Sequence, residues 1–206
     1  MPTAAILAGG RAARFGGRDK SALVIDGRSI LERQIAELLR VTDDVLVVGA
    51  EQGSGRFLFE LAHQKSTRPL FRLVPDRTPG CGPLGGLDAA LAAARDAVVV
   101  IVACDMPFVT TAFLNHLLDL ARDADAVVPR TERGYHPLCA AYTRACHPVV
   151  ARRLADRRLK MTGLLEEVRV RELTAEEIDA FGDRFRLLAN VNRPADYEEL
   201  AGLGGH

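Results

Sequence analysis

Short apolar runs recur along the first ~130 residues, and each of them predicts a buried strand. The first run, Ala4–Ala8, stops at a pair of glycines, and a later one, Leu73–Val74, stops at Pro75. The most apolar run, Val98–Ala103, is predicted to be the central strand of a sheet. The remaining runs of this kind are Val45–Val48 and Ala126–Val128.

Amphipathic stretches between these runs predict helices. Ser29 and Glu32 have the spacing of a capping box, which indicates that a helix begins there. A second helix is predicted over Leu84–Arg95, and Thr111 is predicted to cap a third. The apolar faces of the three helices comprise Leu31, Ile35 and Leu38, then Leu84, Leu87 and Leu91, then Leu114, Leu117 and Leu118.

This alternation of strands and helices is typical of an α/β protein with a mainly parallel sheet covered on both faces. The last third of the chain is less regular. It predicts strands at His136–Tyr142 and Val168–Leu173, a basic helix at Val149–Leu159, and a short helix at the end of "ANVNRPADYEEL".

Composition narrows the class of protein. The chain has 206 residues, 48% of them hydrophobic and 26% charged, with a net charge of zero, so we expect a single globular domain and no general binding to nucleic acid. We expect no membrane span and no signal peptide. Four cysteines without a CxxC pair are expected to be buried free thiols in the cytoplasm.

The stretch "LAGGRAARFGGRDKS", Leu7–Ser21, follows the first strand and has the composition of a phosphate-binding loop. It is not a P-loop, because Lys20 follows Asp19 rather than glycine, and it lacks the G-x-G-x-x-G spacing of dinucleotide-binding loops. Glycines still allow backbone N–H groups to approach an anion, and arginines can bind phosphate oxygens. The spacing alone leaves a solvated basic loop as the alternative.

Five motifs in order give the chain a resemblance to a known family. They are "LAGGRAARFGGRDK" near the start, "VPD" followed by "GPLGGL", "VACDMPFV", "HPLCAAY" and "NVNRPADY". Together they resemble the molybdenum cofactor guanylyltransferases, the MobA family of nucleotidyltransferases. The resemblance implies a three-layer αβα sandwich of the nucleotide-diphospho-sugar transferase type. It also implies a nucleotide-binding part over about residues 1–130 and a cofactor-side part over about 131–206.

The family's reaction joins GMP from GTP to the phosphate of molybdenum-molybdopterin and releases pyrophosphate. The substrates implied for this chain are therefore GTP and molybdenum-molybdopterin. Such chemistry needs alignment, a metal and cations beside the pyrophosphate rather than a covalent nucleophile from the protein. The instability of the product also gives a reason for transient contact with molybdoenzymes or their chaperones.

Asp105 is the candidate metal ligand. It follows the most apolar strand directly, and ligand sites of α/β proteins lie at the carboxyl ends of strands. A carboxylate in that position suits Mg²⁺, and the matching aspartate of the family binds Mg²⁺. Without the resemblance, a turn or helix-capping aspartate is the alternative.

The resemblance also assigns the nucleotide side of the site. Lys20 and Arg14 match basic positions whose implied catalytic role is to neutralise the departing triphosphate charge. Asp76 matches an aspartate that contacts GTP. Backbone contacts with the nucleotide are implied at Leu7, Ala8, Gly9 and Gly10.

On the cofactor side, the glycine loop contributes Gly82 and Gly85, and His136, Asn190 and Asn192 are further candidates. A structural histidine and a turn asparagine are the alternatives for His136 and Asn192. The chain departs from the family at Gly49, where the family often has an asparagine.

Rival functions differ in the base or in the acceptor. A cytidylyltransferase for the same cofactor is one, although the LAGG motif with Gly10 favours guanine over the LAAG of those relatives. A nucleotidyltransferase for a sugar or cobinamide phosphate is another. A non-catalytic nucleotide-binding regulator is disfavoured because both Lys20 and Asp105 are present.

Overall fold

The computed structural model describes residues 1–8, 14–15, 18–19, 24–25, 27–49, 70–191, 195–196 and 198. The strands of these residues are β1 (Thr3–Leu7), β2 (Arg14–Phe15), β3 (Arg18–Asp19), β4 (Val24–Ile25), β5 (Arg28–Ser29), β6 (Asp44–Val48), β7 (Arg72–Val74), β8 (Val98–Ala103), β9 (Ala126–Thr131), β10 (Gly134–Tyr135), β11 (Cys139–Thr143) and β12 (Val170–Leu173). The helices are α1 (Ile30–Val41), α2 (Gly82–Ala93), α3 (Thr111–Leu120), α4 (His147–Ala155), α5 (Met161–Leu165), α6 (Ala175–Asp179) and α7 (Arg184–Leu187), and a 3₁₀ turn spans Arg144–Cys146.

Eight strands form one mixed sheet in the order β10-β9-β11-β8-β1-β6-β7, with β12 paired to β9. The strands β8, β1, β6 and β7 run parallel to one another. Strand β11 runs antiparallel between β8 and β9. The most apolar run therefore is a central strand, as its composition predicts.

Alternating residues of each buried strand face two separate cores. In β1, Ala4 and Ile6 belong to one core and Ala5 and Leu7 to the other, as the two-residue period of a strand requires. Helices α1 and α3 cover the first core, and helices α2, α4 and α5 cover the second. This arrangement confirms the three-layer αβα sandwich.

The cap predicted for α1 is confirmed, whereas the cap of α3 is a different residue from the one predicted. Ser29 and Glu32 form the predicted capping box, with the Glu32 N–H donating to Ser29 Oγ at 3.1 Å. The prediction for Thr111 is wrong, because Thr110 has the extended cap conformation and accepts from the Phe113 N–H. The Thr111 hydroxyl lies inside the first turn and donates instead to the Glu37 carboxylate at 2.6 Å.

Several predicted elements have different bounds, among them the helix predicted over Leu84–Arg95, which spans Gly82–Ala93, and the strand predicted over Val168–Leu173, which spans Val170–Leu173. For two others the physical reason is clear. The strand expected from His136 begins only at Cys139, because Pro137 lacks an N–H and the Cys139 N–H closes a turn onto the His136 carbonyl. The helix expected over Val149–Leu159 spans His147–Ala155. Pro148 is compatible with its first turn, and Arg157 leaves the helical conformation with a φ of 56°.

All four cysteines are buried and form no disulfide, as the sequence predicts. Within the described residues, no helix combines the length and the apolar character that crossing a membrane requires.

Asp44 is a buried carboxylate at the start of β6, at the edge of the sheet where the parallel strands begin. It accepts hydrogen bonds from the Thr3 hydroxyl at 2.8 Å and from the Arg72 guanidinium at 2.6 Å. Burial acts to raise the pKa of Asp44, but these hydrogen bonds outweigh it and hold the pKa below the ordinary value.

Replacing Asp44 tests this cluster. Asp44→Asn is expected to lower the free energy of unfolding by about 2 kcal/mol at neutral pH, the usual scale for hydrogen bonds to a charged group. Because the folded-state pKa is depressed, the stabilisation exists above the unfolded pKa and is lost as pH falls. Urea unfolding at a series of acidic pH values should give a shallower loss of stability for the variant. An equal slope for both proteins would contradict this account.

Candidate functional site

Backbone hydrogen bonds continue the sheet past the carboxyl ends of its strands. They join Ala103 N to Leu138 O at 2.8 Å, Cys104 N to Leu7 O at 3.2 Å, Ala8 N to Val48 O at 2.8 Å and Gly49 N to Val74 O at 2.9 Å. The segments that follow β1, β6, β7 and β8 therefore leave the sheet side by side. This edge is where ligands bind in open α/β sheets.

Asp105 lies in a tight turn formed by Ala103–Met106, which we call the Asp105 turn. The Met106 N–H donates to the Ala103 carbonyl at 3.2 Å and closes the turn. The Val191 N–H donates to the Asp105 carbonyl at 2.7 Å. The structure therefore brings Asn190, next to Val191, to the same edge as Asp105, although 85 residues separate them in the chain.

The turn is also contacted by Gln34, a residue that the sequence analysis does not identify. The Gln34 side chain is buried on α1, and its Nε2 donates to the Ala103 carbonyl at 2.7 Å and to the Met106 carbonyl at 3.0 Å. The sequence does contain a signal for a special role of Gln34. This polar residue lies three residues after Leu31 and four before Leu38, on the apolar face of the helix.

Asp76 lies two residues past β7, and its Oδ1 accepts from the Thr78 N–H at 3.0 Å. Helix α2 approaches this loop closely. A Cβ atom on Gly85 would lie 3.2 Å from Asp76 Oδ1 and 3.1 Å from Thr78 Oγ1. The glycine therefore permits close packing of the helix start against the Asp76 loop.

Of the two glycines assigned to the cofactor side, Gly85 lies near a nucleotide candidate, Asp76. Gly82 begins α2 with a left-handed φ of 61°, and Gly85 faces Asp76. A Cβ atom on the next residue, Gly86, would lie 3.3 Å from the side chain of Leu7. Gly85 and Gly86 therefore pack against the Asp76 loop and the end of β1 respectively.

His136 and Asn190 line a second region, a cavity of about 190 Å³. The Nε2 of His136 lies 2.9 Å from the Thr131 hydroxyl. Burial and the nearby Arg133 guanidinium lower the pKa of His136, so its imidazole is neutral at neutral pH. The remaining lining residues are Met106, Tyr135, Pro137, Leu138, Cys139 and Met161. Since Met106 belongs to the Asp105 turn, the cavity adjoins that turn.

Gly49 adopts a left-handed φ of 73°, and its N–H takes part in the edge hydrogen bonds. Glycine and asparagine are the residues that adopt this conformation most readily. Glycine therefore suits the backbone shape at this position, and an asparagine there would add a side-chain amide.

Several candidate residues lie outside the described part of the chain: Gly9, Gly10, Lys20 and Asn192. Arg14 lies in β2, which pairs with β3, and only its backbone is described.

The donor chemistry of Asp105 fits a hard divalent cation. In the portion of the chain that the structure describes, no group of three or more His, Cys, Asp or Glu side chains could hold a metal ion. Mg²⁺ does not need such a cage, because it usually takes one or two carboxylates together with water and phosphate oxygens. Asp105 at the carboxyl end of β8 can supply one such carboxylate.

Comparisons with known proteins extend this picture. Residues 4–172 match the family model described as the MobA-like NTP transferase domain. A "probable molybdenum cofactor guanylyltransferase" of Pelotomaculum thermopropionicum is 33% identical over 195 residues, which cover 94% of this chain and 89% of that protein.

Solved structures share the fold. Molybdopterin-guanine dinucleotide biosynthesis protein A of Archaeoglobus fulgidus superposes with a TM-score of 0.79 at 23% identity, with 98% of each chain covered. A Mycobacterium tuberculosis protein, solved as a complex with manganese, superposes with a TM-score of 0.66 at 21% identity, with 97% of each chain covered.

A pair of glycine substitutions tests the close packing of α2. Gly85→Ala is expected to destabilise the protein by about 1 kcal/mol, because the new methyl group meets Asp76 and Thr78 in a packed loop. Gly86→Ala is the matched control, since it makes the same gain in helix propensity and meets only the flexible end of Leu7. Urea unfolding of both variants gives the comparison. Equal stability of the two variants would contradict the packing described for Gly85.

Proposed function

Because the chain belongs to the MobA-like NTP transferase family, we propose that it transfers GMP from GTP to the phosphate of molybdenum-molybdopterin and releases pyrophosphate. The observation that carries this proposal is the meeting of four family motifs at one edge of the sheet. The end of β1, the Asp76 loop, the Asp105 turn and Val191 are joined there by backbone hydrogen bonds or close packing.

The proposed reaction is a displacement at the α-phosphorus of GTP. A phosphate oxygen of the cofactor forms the new P–O bond, and the bond between the α-phosphorus and the bridging oxygen to the β-phosphate breaks. The electron pair of that bond leaves with pyrophosphate. The attacking phosphate oxygen is already anionic, so the protein's main tasks are alignment and charge stabilisation.

We assign the divalent metal of this reaction to Asp105, with Mg²⁺ as the ion. When bound, the ion would neutralise charge on the triphosphate oxygens. The Asp105 carboxylate would supply one ligand, and Mg²⁺ generally takes its other ligands from phosphate oxygens and water. Lys20 and Arg14 are proposed to neutralise the charge that develops on pyrophosphate, as a point charge and as a guanidinium fork respectively.

Nucleotide binding is assigned to the cluster around the end of β1. Backbone groups of Leu7, Ala8, Gly9 and Gly10 are proposed to approach the nucleotide, since the small residues that follow Leu7 permit close contact. Asp76 is proposed to accept hydrogen bonds from GTP, either from the guanine edge or from a ribose hydroxyl. Gly85 of α2 packs closely against the loop that contains Asp76.

The cofactor is assigned to the cavity beside the Asp105 turn. His136, Asn190 and Asn192 are proposed to contact it, with Gly82 and Gly85 at the boundary with the nucleotide. A neutral His136 can donate one hydrogen bond and accept another. We also propose a cytoplasmic location, which suits free thiols, and transient transfer of the product to molybdoenzymes or their chaperones.

Nucleotide competition tests the proposed function. The protein is incubated with molybdenum-molybdopterin and equal concentrations of GTP, CTP and ATP, and the dinucleotide products are identified by mass spectrometry. The guanine product is expected to predominate, because a wrong base leaves buried polar groups without partners. A predominant cytosine product would move the assignment to a cytidylyltransferase, and absence of any product would favour a binding protein.

Asp105→Asn tests the metal assignment. The substitution is nearly isosteric, so the fold should persist, while turnover is expected to fall by roughly 10² to 10³ because a charge interaction of the transition state is lost. Steady-state kinetics with circular dichroism as the folding control give the measurement. A folded variant with wild-type turnover would exclude Asp105 as an essential ligand.

A further inference from the structure

Gln34 makes an unusual pair of contacts for a residue on the buried face of a helix. Its side chain is only 1% exposed. The Nε2 amide group donates to the carbonyls of both terminal residues of the Asp105 turn, Ala103 and Met106. The two carbonyls that flank Cys104 and Asp105 are therefore held by one side chain from α1.

The other end of the Gln34 amide is not satisfied. Its Oε1 atom is buried and has no hydrogen-bond partner among the described residues. A buried acceptor without a partner costs free energy, and an apolar side chain between Leu31 and Leu38 would avoid that cost. Packing of α1 alone therefore does not explain a glutamine here, whereas the two bonds to the turn do.

Two further backbone groups of the turn are held by β1 and by Val191. The Cys104 N–H donates to the Leu7 carbonyl, and the Asp105 carbonyl accepts from the Val191 N–H. Gln34 adds contacts from the helix layer at the two ends of the turn. The contacts from β1, from Val191 and from α1 leave the Asp105 backbone little freedom. A metal ligand functions best when its backbone is fixed.

We propose that Gln34 is a positioning residue that fixes the Asp105 turn in the shape required for binding a divalent metal with GTP. The proposal rests on the metal role assigned to Asp105 under the proposed function. Gln34 touches neither metal nor substrate and acts through the two carbonyls. No step of the reaction requires it to gain or lose a proton.

The direct test is metal binding without turnover. Mn²⁺, used as the probe, is titrated into the full-length protein with a non-hydrolysable GTP analogue, and free Mn²⁺ is measured by electron paramagnetic resonance. Gln34→Met keeps the side-chain length and removes both donors. It is expected to weaken Mn²⁺ binding about tenfold, the lower end of the effects seen when residues supporting metal ligands are changed.

Thermal unfolding separates positioning from a general loss of stability. Gln34→Met should lower the unfolding midpoint much less than a cavity in the core does, because the loss of the two hydrogen bonds is offset in part by removal of a buried acceptor without a partner. Leu38→Ala is the matched control on the same helix, since its apolar side chain cannot hydrogen-bond to the turn. That control should lower the midpoint and leave Mn²⁺ affinity unchanged.

Two further variants make each outcome decisive. Gln34→Asn retains an amide but is one methylene shorter, so it should also weaken Mn²⁺ binding, and it replaces the methionine variant if that protein does not fold. Asp105→Asn should lose most Mn²⁺ affinity. Wild-type affinity in a folded Gln34 variant, with affinity lost in Asp105→Asn, would overturn the role of Gln34 alone. Wild-type affinity in Asp105→Asn would overturn the metal assignment itself.

Discussion

The site depends on the backbone hydrogen bonds that join the ends of the parallel strands to one another and to the Asp105 turn. Strand ends in an open sheet are free to diverge. Here the Cys104 N–H donates a hydrogen bond to the Leu7 carbonyl, and the Ala8 N–H donates to the Val48 carbonyl, past the last paired residues. Val191 is bonded to Asp105 in the same way. Segments from the beginning, middle and end of the chain thus keep fixed positions around the Asp105 turn.

This constraint gives the site two adjoining regions. On one side, the lack of a Cβ atom on Gly85 lets α2 pack against the Asp76 loop, next to the end of β1. On the other side, Met106 of the turn and His136 line one cavity. The proposed two-substrate reaction suits this arrangement, because the nucleotide and the acceptor would approach Asp105, the proposed metal ligand, from neighbouring regions.

Much of the fold could be predicted from local signals, since the strand β8 and the capping box at Ser29 depend on residues close in sequence. The predictions fail where distant contacts decide. Thr111 could have capped its helix by local criteria, but its hydroxyl is bonded to Glu37 on another helix. Gln34 is invisible to motif reasoning because its partners are carbonyls 69 and 72 residues away. The roles of Lys20 and Asn192, outside the described residues, come from the resemblance alone.

The central claim is that chemistry occurs at the α-phosphorus of GTP, and the fate of a label tests it most directly. Wild-type protein is incubated with molybdenum-molybdopterin and GTP radiolabelled at either the α- or the γ-phosphate, and products are separated by chromatography. The account predicts that the α-label appears in the cofactor dinucleotide and the γ-label in pyrophosphate, in equal amounts. Transfer of the γ-label to the cofactor, or recovery of intact GTP in both reactions, would contradict it.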